Sequence, residues 1–128
     1  MNRAPRILIV DDEDQNLVFY EQALRLENFA IVTARDGLEA LDKFEKFQPD
    51  LVLCDLMMPR LNGYEFCARL RHKSTGRHVP IILLSALDES EVKPLALEND
   101  ANLFLSKPVD PATLTASIQA LLRLGQPA

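Results

Sequence analysis

Cysteine, histidine and tryptophan are scarce in this sequence. Its 128 residues include two cysteines, two histidines and no tryptophan. Cys54 and Cys67 show neither C-x-x-C nor zinc spacing, and His72 and His78 lack the spacing of metal ligands. A disulfide framework or a zinc site is therefore excluded as the basis of the fold, and we expect both cysteines to be reduced and buried.

Long hydrophobic runs and an excess of positive charge are also absent. The longest apolar runs, such as residues 7–10, are about four residues long, whereas a membrane span needs about 20. This first run reaches acidic residues too soon to be a secretory signal, so we expect a cytoplasmic protein with no membrane segment. The net charge of −5 argues against direct binding to nucleic acid, which requires a basic surface.

The remaining composition is that of an ordinary globular domain. Hydrophobic residues make up 48% of the chain and charged residues 26%. A chain of this length buries roughly two-thirds of its unfolded surface, so it needs neither a disulfide nor a metal ion to fold. We expect a single domain, residues 1–128, with no effector domain.

Short apolar runs alternate with helical patterns along the chain. Continuous apolar runs of this kind predict strands that are buried on both faces. The strong strand candidates are residues 7–10, 51–54 and 81–84, and the weaker ones are residues 29–34 and 101–105. Helical patterns cover residues 14–27, 36–47, 63–73 and 88–100, and a last helix begins at Pro111 with Asp110 as its cap.

Five strand–helix units in alternation favour a parallel sheet with helices on both faces, because parallel neighbours need crossover connections. Pro94 strains this prediction, since it lies inside the fourth helical pattern. Proline removes a backbone donor and clashes with the preceding turn. We therefore expect the regular part of the fourth helix to begin near Lys93 or Pro94.

Polar residues follow four of the five predicted strands. Asp11 and Asp12 follow the first strand and Asp55 the third, while Ser85 follows the fourth strand and Lys107 the fifth. Open α/β sheets bind their ligands at the carboxyl ends of the strands. These five residues are therefore the candidates for a functional site.

Three carboxylates at one edge repel one another unless a cation lies among them. If the first and third strands are neighbours, about 4.8 Å apart, Asp11, Asp12 and Asp55 converge. A hard divalent ion fits this cluster, and Mg²⁺ fits better than Ca²⁺, which would want more side-chain ligands. With Lys107 as a second positive group and Ser85 as a donor, the cluster favours phosphoryl transfer to an aspartate that is ionised at neutral pH.

Four segments resemble the receiver domains of two-component response regulators. They are ILIVDDE (7–13), PDLVLCDLMMPRLNGYEF (49–66), PIILLSA (80–86) and FLSKP (104–108). The resemblance runs nearly from end to end, and four such motifs in order are far more specific than one. It implies a flavodoxin-like (βα)5 fold, which is a doubly wound parallel sheet of strand order 2-1-3-4-5. It also implies a signalling switch, not an enzyme, that receives its phosphoryl group from a histidine kinase or a histidine phosphotransfer protein.

The resemblance assigns roles to individual residues. It implies that Asp55 is the phosphoacceptor, that Asp12 binds Mg²⁺ directly and that Asp11 binds it through water. The backbone carbonyl of Met57 would be a further ligand, and Mn²⁺ could replace Mg²⁺. We expect the side chains of Met57 and Met58 to be packing residues.

The resemblance also implies how the site signals. Ser85 and Lys107 would contact the phosphoryl group, and the Lys107–Pro108 peptide bond would be cis. When Ser85 moves toward the phosphoryl group, Phe104 would turn inward and fill the vacated space. This change would reshape the face formed by the fourth predicted helix, the fifth strand and the fifth helix, which a downstream protein or a second copy of the chain would bind.

Three positions depart from the family pattern. Phe104 stands where tyrosine is frequent and lacks the phenolic hydroxyl. Asp100 stands where glycine is usual, so Asn99 or Asp100 must adopt any left-handed conformation before the fifth strand. Pro94 lies in the output face itself and makes the geometry of that face harder to predict.

Other interpretations stay open. The acidic loop 11–14 could be a solvated loop in which Asp14 caps a helix, Ser85 could be a turn residue, and Lys107 could be a surface lysine. A phosphatase that forms an aspartyl-phosphate would typically have a second aspartate at the position of Met57. A nucleotide- or flavin-binding module would need a phosphate-cradling loop after the first strand, where this chain has the acidic DDEDQN. A receiver that signals without phosphorylation would have lost a residue of the pocket.

Overall fold

The computed structural model describes residues 3–58, 60–86 and 101–124. These residues contain a five-stranded parallel sheet with the strand order β2-β1-β3-β4-β5. The strands are β1 (Arg6–Val10), β2 (Ala30–Ala34), β3 (Leu51–Asp55), β4 (Ile81–Ser85) and β5 (Leu103–Ser106). The predicted fold class and strand order are confirmed.

Four helices lie in the described part of the chain. They are α1 (Asp14–Arg25), α2 (Gly37–Phe47), α3 (Gly63–His72) and α4 (Pro111–Leu124), and a short 3-10 turn, Ser74–Gly76, follows α3. Helix α4 is the fifth helix of the prediction. The predicted fourth helix, with Pro94, Asn99 and Asp100, lies outside the described residues. None of the described helices has the length and apolar character that crossing a bilayer requires.

Both faces of the sheet are covered, which explains the continuous apolar runs. Every residue of β3 and β4 is buried, as central parallel strands require. The face toward α2 and α3 buries residues such as Leu8 and Phe66, and the face toward α1 and α4 buries residues such as Ile9 and Leu24. Each such side chain stabilises the fold by about 1.5–3 kcal/mol. Cys54 and Cys67 are buried and form no disulfide, as predicted.

Polar side chains satisfy backbone donors at the start of three helices. The Asp36 carboxylate accepts a backbone N–H of α2 at 2.9 Å. Asn62 and Glu65 form a capping box at the start of α3. The Asp110 carboxylate accepts a backbone N–H of α4 at 3.0 Å, and Pro111 is the first residue of that helix, as predicted.

Helix α1 begins differently. The residue before it, Glu13, makes no side-chain capping hydrogen bond, and Asp14 is already the first helical residue. The alternative interpretation, in which Asp14 caps this helix, is therefore contradicted. Its carboxylate instead pairs with Arg35 at 2.9 Å, and a negative charge in the first turn still interacts favourably with the helix dipole.

Candidate functional site

Three carboxylates converge at the carboxyl edge of the sheet. Strands β1 and β3 are adjacent and Val10 pairs with Cys54, so Asp11 and Asp55 follow paired residues. Asp11, Asp12 and Asp55 each offer one oxygen, and these oxygens lie within 4.8 Å of one another. This spacing fits one divalent cation, which binds carboxylate oxygens at about 2.0–2.6 Å.

Asp11 is buried, with 1% of its surface exposed, and three donors hold its carboxylate. Oδ1 accepts the backbone N–H of Glu13 at 2.9 Å. Oδ2 accepts the side-chain amide of Asn16 at 3.1 Å and the ammonium group of Lys107 at 3.4 Å. Ionised carboxylates need such partners when they leave water. These contacts fix the orientation of the Asp11 carboxylate.

Asp12 differs from its neighbour in both exposure and partners. Its side chain is exposed. The hydrogen bonds from Glu13, Asn16 and Lys107 go to the Asp11 carboxylate instead. Both of its oxygens are therefore open to water or to an ion at the edge of the site.

Asp55 is buried, with 6% of its surface exposed, and its Oδ1 lies 2.7 Å from Nζ of Lys107. Burial is the main cause that raises the pKa of Asp55, and the negative charges of Asp11 and Asp12 raise it further. The hydrogen bond and the charge of Lys107 lower it, and the balance is a pKa of about 6. Asp55 is thus mostly ionised at neutral pH, in a setting that favours a nearby positive charge.

Lys107 links the two buried carboxylates. Its Nζ is 2.7 Å from Asp55 and 3.4 Å from Asp11. Burial lowers the pKa of Lys107, but the hydrogen bond with Asp55 and the charges of Asp55 and Asp11 outweigh burial, so the pKa is raised. The peptide bond between Lys107 and Pro108 is cis, which is the geometry that the resemblance implies.

Ser85 lies at the same edge. It is the last residue of β4 and is buried. Leu84 pairs with Asp55 in the neighbouring strand, so Ser85 lies one residue beyond that pair. Its carbonyl oxygen accepts the backbone N–H of Lys107 at 2.8 Å. The fold therefore brings Ser85 to the edge that carries Asp55 and Lys107.

Met57 follows β3, and its side chain is 63% exposed. Met58, in contrast, is buried in the core. The prediction that both side chains are packing residues is therefore right for Met58 and wrong for Met57. The proposed ligand role of the Met57 backbone carbonyl stays a prediction.

The loop between β3 and α3 is fixed to the start of α2. The Arg60 guanidinium pairs with the Asp36 carboxylate. A backbone N–H of α2 is the main cause that lowers the pKa of Asp36, and Arg60 lowers it further. Leu61 packs so closely on Gly37 that an added Cβ would lie 2.8 Å from Cβ of Leu61 and 2.9 Å from its carbonyl oxygen. The loop thus has an ionic and a steric attachment to α2.

Phe104 lies in β5 and is 4% exposed. It pairs with Leu83 of β4 and belongs to the core cluster that also contains Ala101. Because phenylalanine has no hydroxyl group, burying it leaves no polar atom without a partner. Its predicted role as a switch stays a prediction.

The sequence patterns did not predict that two residues of α1 lie at this site. Asn16 and Tyr20 are one helical turn apart on the face of α1 that contacts the sheet. Asn16 donates its hydrogen bond to Asp11. Burial raises the pKa of Tyr20 and the charge of Lys107 lowers it, so the phenol lies within electrostatic reach of the lysine. The available signal was the i, i+4 spacing of two polar-tipped residues just after the acidic pair.

The family model for the response regulator receiver domain matches residues 7–119 of this chain. Response regulator PleD from Caulobacter vibrioides is 39% identical over 118 residues, which cover 92% of this chain and 26% of PleD. The chain spans about a quarter of the length of PleD and about half of that of response regulator MprA from Mycobacterium sp. (strain KMS), at 26% and 52%.

Solved structures give the same result. Chemotaxis protein CheY4 of Vibrio cholerae is 30% identical with a TM-score of 0.88, and the match covers 92% of this chain and 98% of that one. The receiver domain of sensor histidine kinase PA1611 from Pseudomonas aeruginosa PAO1 is 30% identical with a TM-score of 0.87, over 94% of this chain and 98% of that one. That structure has a magnesium ion coordinated in its active-site cleft.

Proposed function

This chain belongs to the response regulator receiver domain family, and we propose that it accepts a phosphoryl group on Asp55 from a histidine kinase or a histidine phosphotransfer protein. In this proposal the chain acts as one receiver domain and as a switch, and it catalyses no reaction beyond its own phosphorylation and dephosphorylation. The contact that carries the proposal is the one between buried Asp55 and Lys107, 2.7 Å apart, beside two further carboxylates.

In the acceptor step Asp55 is the nucleophile. An ionised oxygen of Asp55 forms a bond to phosphorus while the phosphorus–nitrogen bond of phosphohistidine breaks, and the electron pair of that bond stays on the imidazole nitrogen. Lys107 would offset negative charge on the transferred group, which is most of what phosphoryl transfer requires of a protein. Ser85, at the same edge, would donate a hydrogen bond from its hydroxyl group to a phosphoryl oxygen.

The cation site in this proposal consists of Asp12, Asp55, the Met57 carbonyl and, through water, Asp11. Exposed Asp12 is open to a direct bond, whereas Asp11 already accepts three hydrogen bonds. Mg²⁺, or Mn²⁺ in its place, would neutralise charge on the phosphoryl oxygens. The convergence of three carboxylate oxygens within 4.8 Å supports this assignment.

The output in this proposal passes through β5. A shift of Ser85 toward the phosphoryl group would change the packing of Phe104, and so the output face predicted from the sequence, of which β5 and α4 lie in the described part of the chain. A downstream protein, or a second copy of the chain, would bind that face. The net charge of −5 does not favour direct contact with nucleic acid, and the absence of a disulfide between Cys54 and Cys67 agrees with the cytoplasmic location that we propose.

The decisive test is labelling with a small phosphodonor. Incubated with Mg²⁺ and acetyl phosphate, the protein should gain one phosphoryl group that is stable to acid and sensitive to hydroxylamine, as an acyl phosphate is. Intact-mass spectrometry measures the stoichiometry. Asp55→Asn should abolish the labelling, because an amide is not a nucleophile of this kind.

Asp14→Asn is the matched control for this test. Asp14 lies in α1 close to the acidic pair in sequence, and its side chain is exposed and pairs with Arg35. The control should label like the wild type. Stoichiometric labelling of Asp55→Asn would show that the acceptor is another residue.

A further inference from the structure

Asn16 makes a contact that packing does not require. It lies in the first turn of α1, and its side-chain amide donates a hydrogen bond of 3.1 Å to Oδ2 of Asp11. The amide is only partly buried, so it could have been satisfied by water. Its direction toward a fully buried carboxylate makes it a candidate for a role at the site.

The hydrogen bonds of Asp11 leave little room for a further partner. An ionised carboxylate offers about four lone-pair positions. Glu13 occupies one on Oδ1, and Asn16 and Lys107 occupy two on Oδ2. One position on Oδ1 therefore remains, which suits a single water donor, while both positions on Oδ2 are occupied as long as Lys107 keeps its contact with Asp11.

The two donors on Oδ2 differ in strength of attachment. Lys107 is 3.4 Å from Asp11 but 2.7 Å from Asp55, so its main partner is Asp55. Asn16, at 3.1 Å, has the shorter contact with Oδ2. Asn16 is thus the residue that still donates a hydrogen bond to Oδ2 if Lys107 turns toward Asp55 or a phosphoryl group.

We propose that Asn16 is a positioning residue, which orients the Asp11 carboxylate so that Asp11 contributes to cation binding through a water molecule and not directly. The inference rests on the proposed function, because it concerns the same cation site. It predicts that Asn16 acts on the geometry of coordination and thereby on the choice of ion. Mg²⁺ demands a near-ideal octahedron with retained waters, whereas Ca²⁺ tolerates variable geometry and direct carboxylate ligands.

Replacement by leucine tests this role, because leucine has a similar size and no donor. Isothermal titration calorimetry of Asn16→Leu with Mg²⁺ and with Ca²⁺ gives two dissociation constants for the protein without a phosphodonor. We expect affinity for Mg²⁺ to fall by about tenfold or more, the usual effect of removing a partner of a metal ligand. Affinity for Ca²⁺ should fall much less, so the preference for Mg²⁺ over Ca²⁺ decreases.

Gln15→Leu is the matched control. Gln15 is the preceding residue of α1, and its exposed side chain has the same amide group. The control should keep both dissociation constants. Asn16→Ala also lacks the donor but adds no branched side chain, so it should show the same loss of preference for Mg²⁺. Thermal unfolding of both variants shows whether either substitution perturbs the fold.

An unchanged ratio of the two dissociation constants in Asn16→Leu and Asn16→Ala would overturn the positioning role, and so would tighter binding of Mg²⁺. Failure of the proposed function gives a different result. In that case the wild type itself would not bind Mg²⁺, or Asp12→Ala would bind it as well as the wild type.

Discussion

Burial and the positive charge of Lys107 shift the pKa of Asp55 in opposite directions. Burial and the neighbouring carboxylates raise its pKa to about 6, even though Lys107 is only 2.7 Å away. The folded protein therefore disfavours the ionised form of this side chain relative to the unfolded chain. A strongly perturbed carboxyl group with a specific charged partner is typical of functional sites. The ionised form of Asp55 is stabilised less well than that of an ordinary surface aspartate, so a cation that binds beside it would stabilise it.

This raised pKa predicts how stability depends on pH in the absence of metal. Between about 3.8 and 6, folded Asp55 keeps its proton while the unfolded chain has lost it. The contribution of Asp55 to stability must therefore fall as the pH rises through this range, by up to about 3 kcal/mol for a shift of this size. Urea unfolding in EDTA, at pH values from 4 to 7, should show Asp55→Asn gaining stability relative to the wild type as the pH rises.

Asp42→Asn is the control for this measurement. Asp42 is exposed and pairs with Lys46 on the surface of α2, so its removal should leave the pH profile parallel to that of the wild type. If the wild type and Asp55→Asn have parallel profiles between pH 4 and 7, the pKa of Asp55 in the folded protein is near its ordinary value.

Among the secondary-structure elements, the loop between β3 and α3 links the acceptor strand to α2. It begins directly after Asp55, and Leu61 near its end packs against Gly37. Arg60 has a positive φ of 67°, a conformation that is uncommon for a residue with a side chain, and pairs with Asp36. The position of the Met57 carbonyl, the proposed ligand, would thus depend on contacts with α2, which packs on β1 and β2 and beside α3.

Gly37→Ala tests this dependence, and two effects compete in it. Alanine normally favours a helix over glycine by about 1 kcal/mol. Here, however, the added Cβ would lie 2.8 Å from Cβ of Leu61 and 2.9 Å from its carbonyl oxygen, so the loop itself must move. We expect the steric effect to win, with a net loss of about 1–3 kcal/mol in urea unfolding. Calorimetry should also show weaker binding of Mg²⁺.

Leu38→Ala provides the comparison in the same helical turn. Leu38 is exposed, so its truncation should change neither stability nor Mg²⁺ affinity by much. A Gly37→Ala variant that is more stable than the wild type and binds Mg²⁺ equally well would show that the loop position is not set by this contact.

For the molecule as a whole, the sheet and its edge were predictable from the sequence. Continuous apolar runs identify buried parallel strands, and the residue after each run falls at the edge where ligands bind. For this reason the sequence alone predicts that Asp11, Asp55, Ser85 and Lys107 lie at the same edge of the sheet. The cap of α4 was also predictable, because Asp110 and Pro111 carry a local signal that needs no tertiary contact.

Contacts that depend on how elements are rotated and packed were not predictable. The bond between Asn16 and Asp11 requires the rotation of α1 about its axis, which the helical pattern leaves open by several tens of degrees. The Arg60–Asp36 pair joins residues 24 positions apart, across a crossover connection. Met57 was expected to be a packing residue because it is apolar. Of the three apolar residues that follow β3, however, Leu56 and Met58 are buried and Met57 is exposed.

Coupling between the acceptor edge and the output face would have to pass through β4 and β5. Ser85 is the last residue of β4, and Phe104 of β5 pairs with Leu83, two residues earlier in β4. Phe104 is buried in the core cluster of the α2 and α3 face, so a change in its packing alters the interior of the domain and not only its surface. Such a packed element can have two discrete arrangements, which is what a switch requires.

Phe104→Ala should therefore separate acceptance of the phosphoryl group from the response to it. We expect labelling by acetyl phosphate to stay within about threefold of the wild-type rate, because Phe104 pairs with Leu83, two residues before Ser85, and packs in the apolar core. Hydrogen exchange of β5, compared with and without acetyl phosphate, should change in the wild type and change much less in the variant. Phe104→Leu, which keeps an apolar side chain of intermediate size, should retain part of this response. A response in β5 of Phe104→Ala equal to that of the wild type, at equal labelling, would contradict the switch, because transmission would then not depend on Phe104.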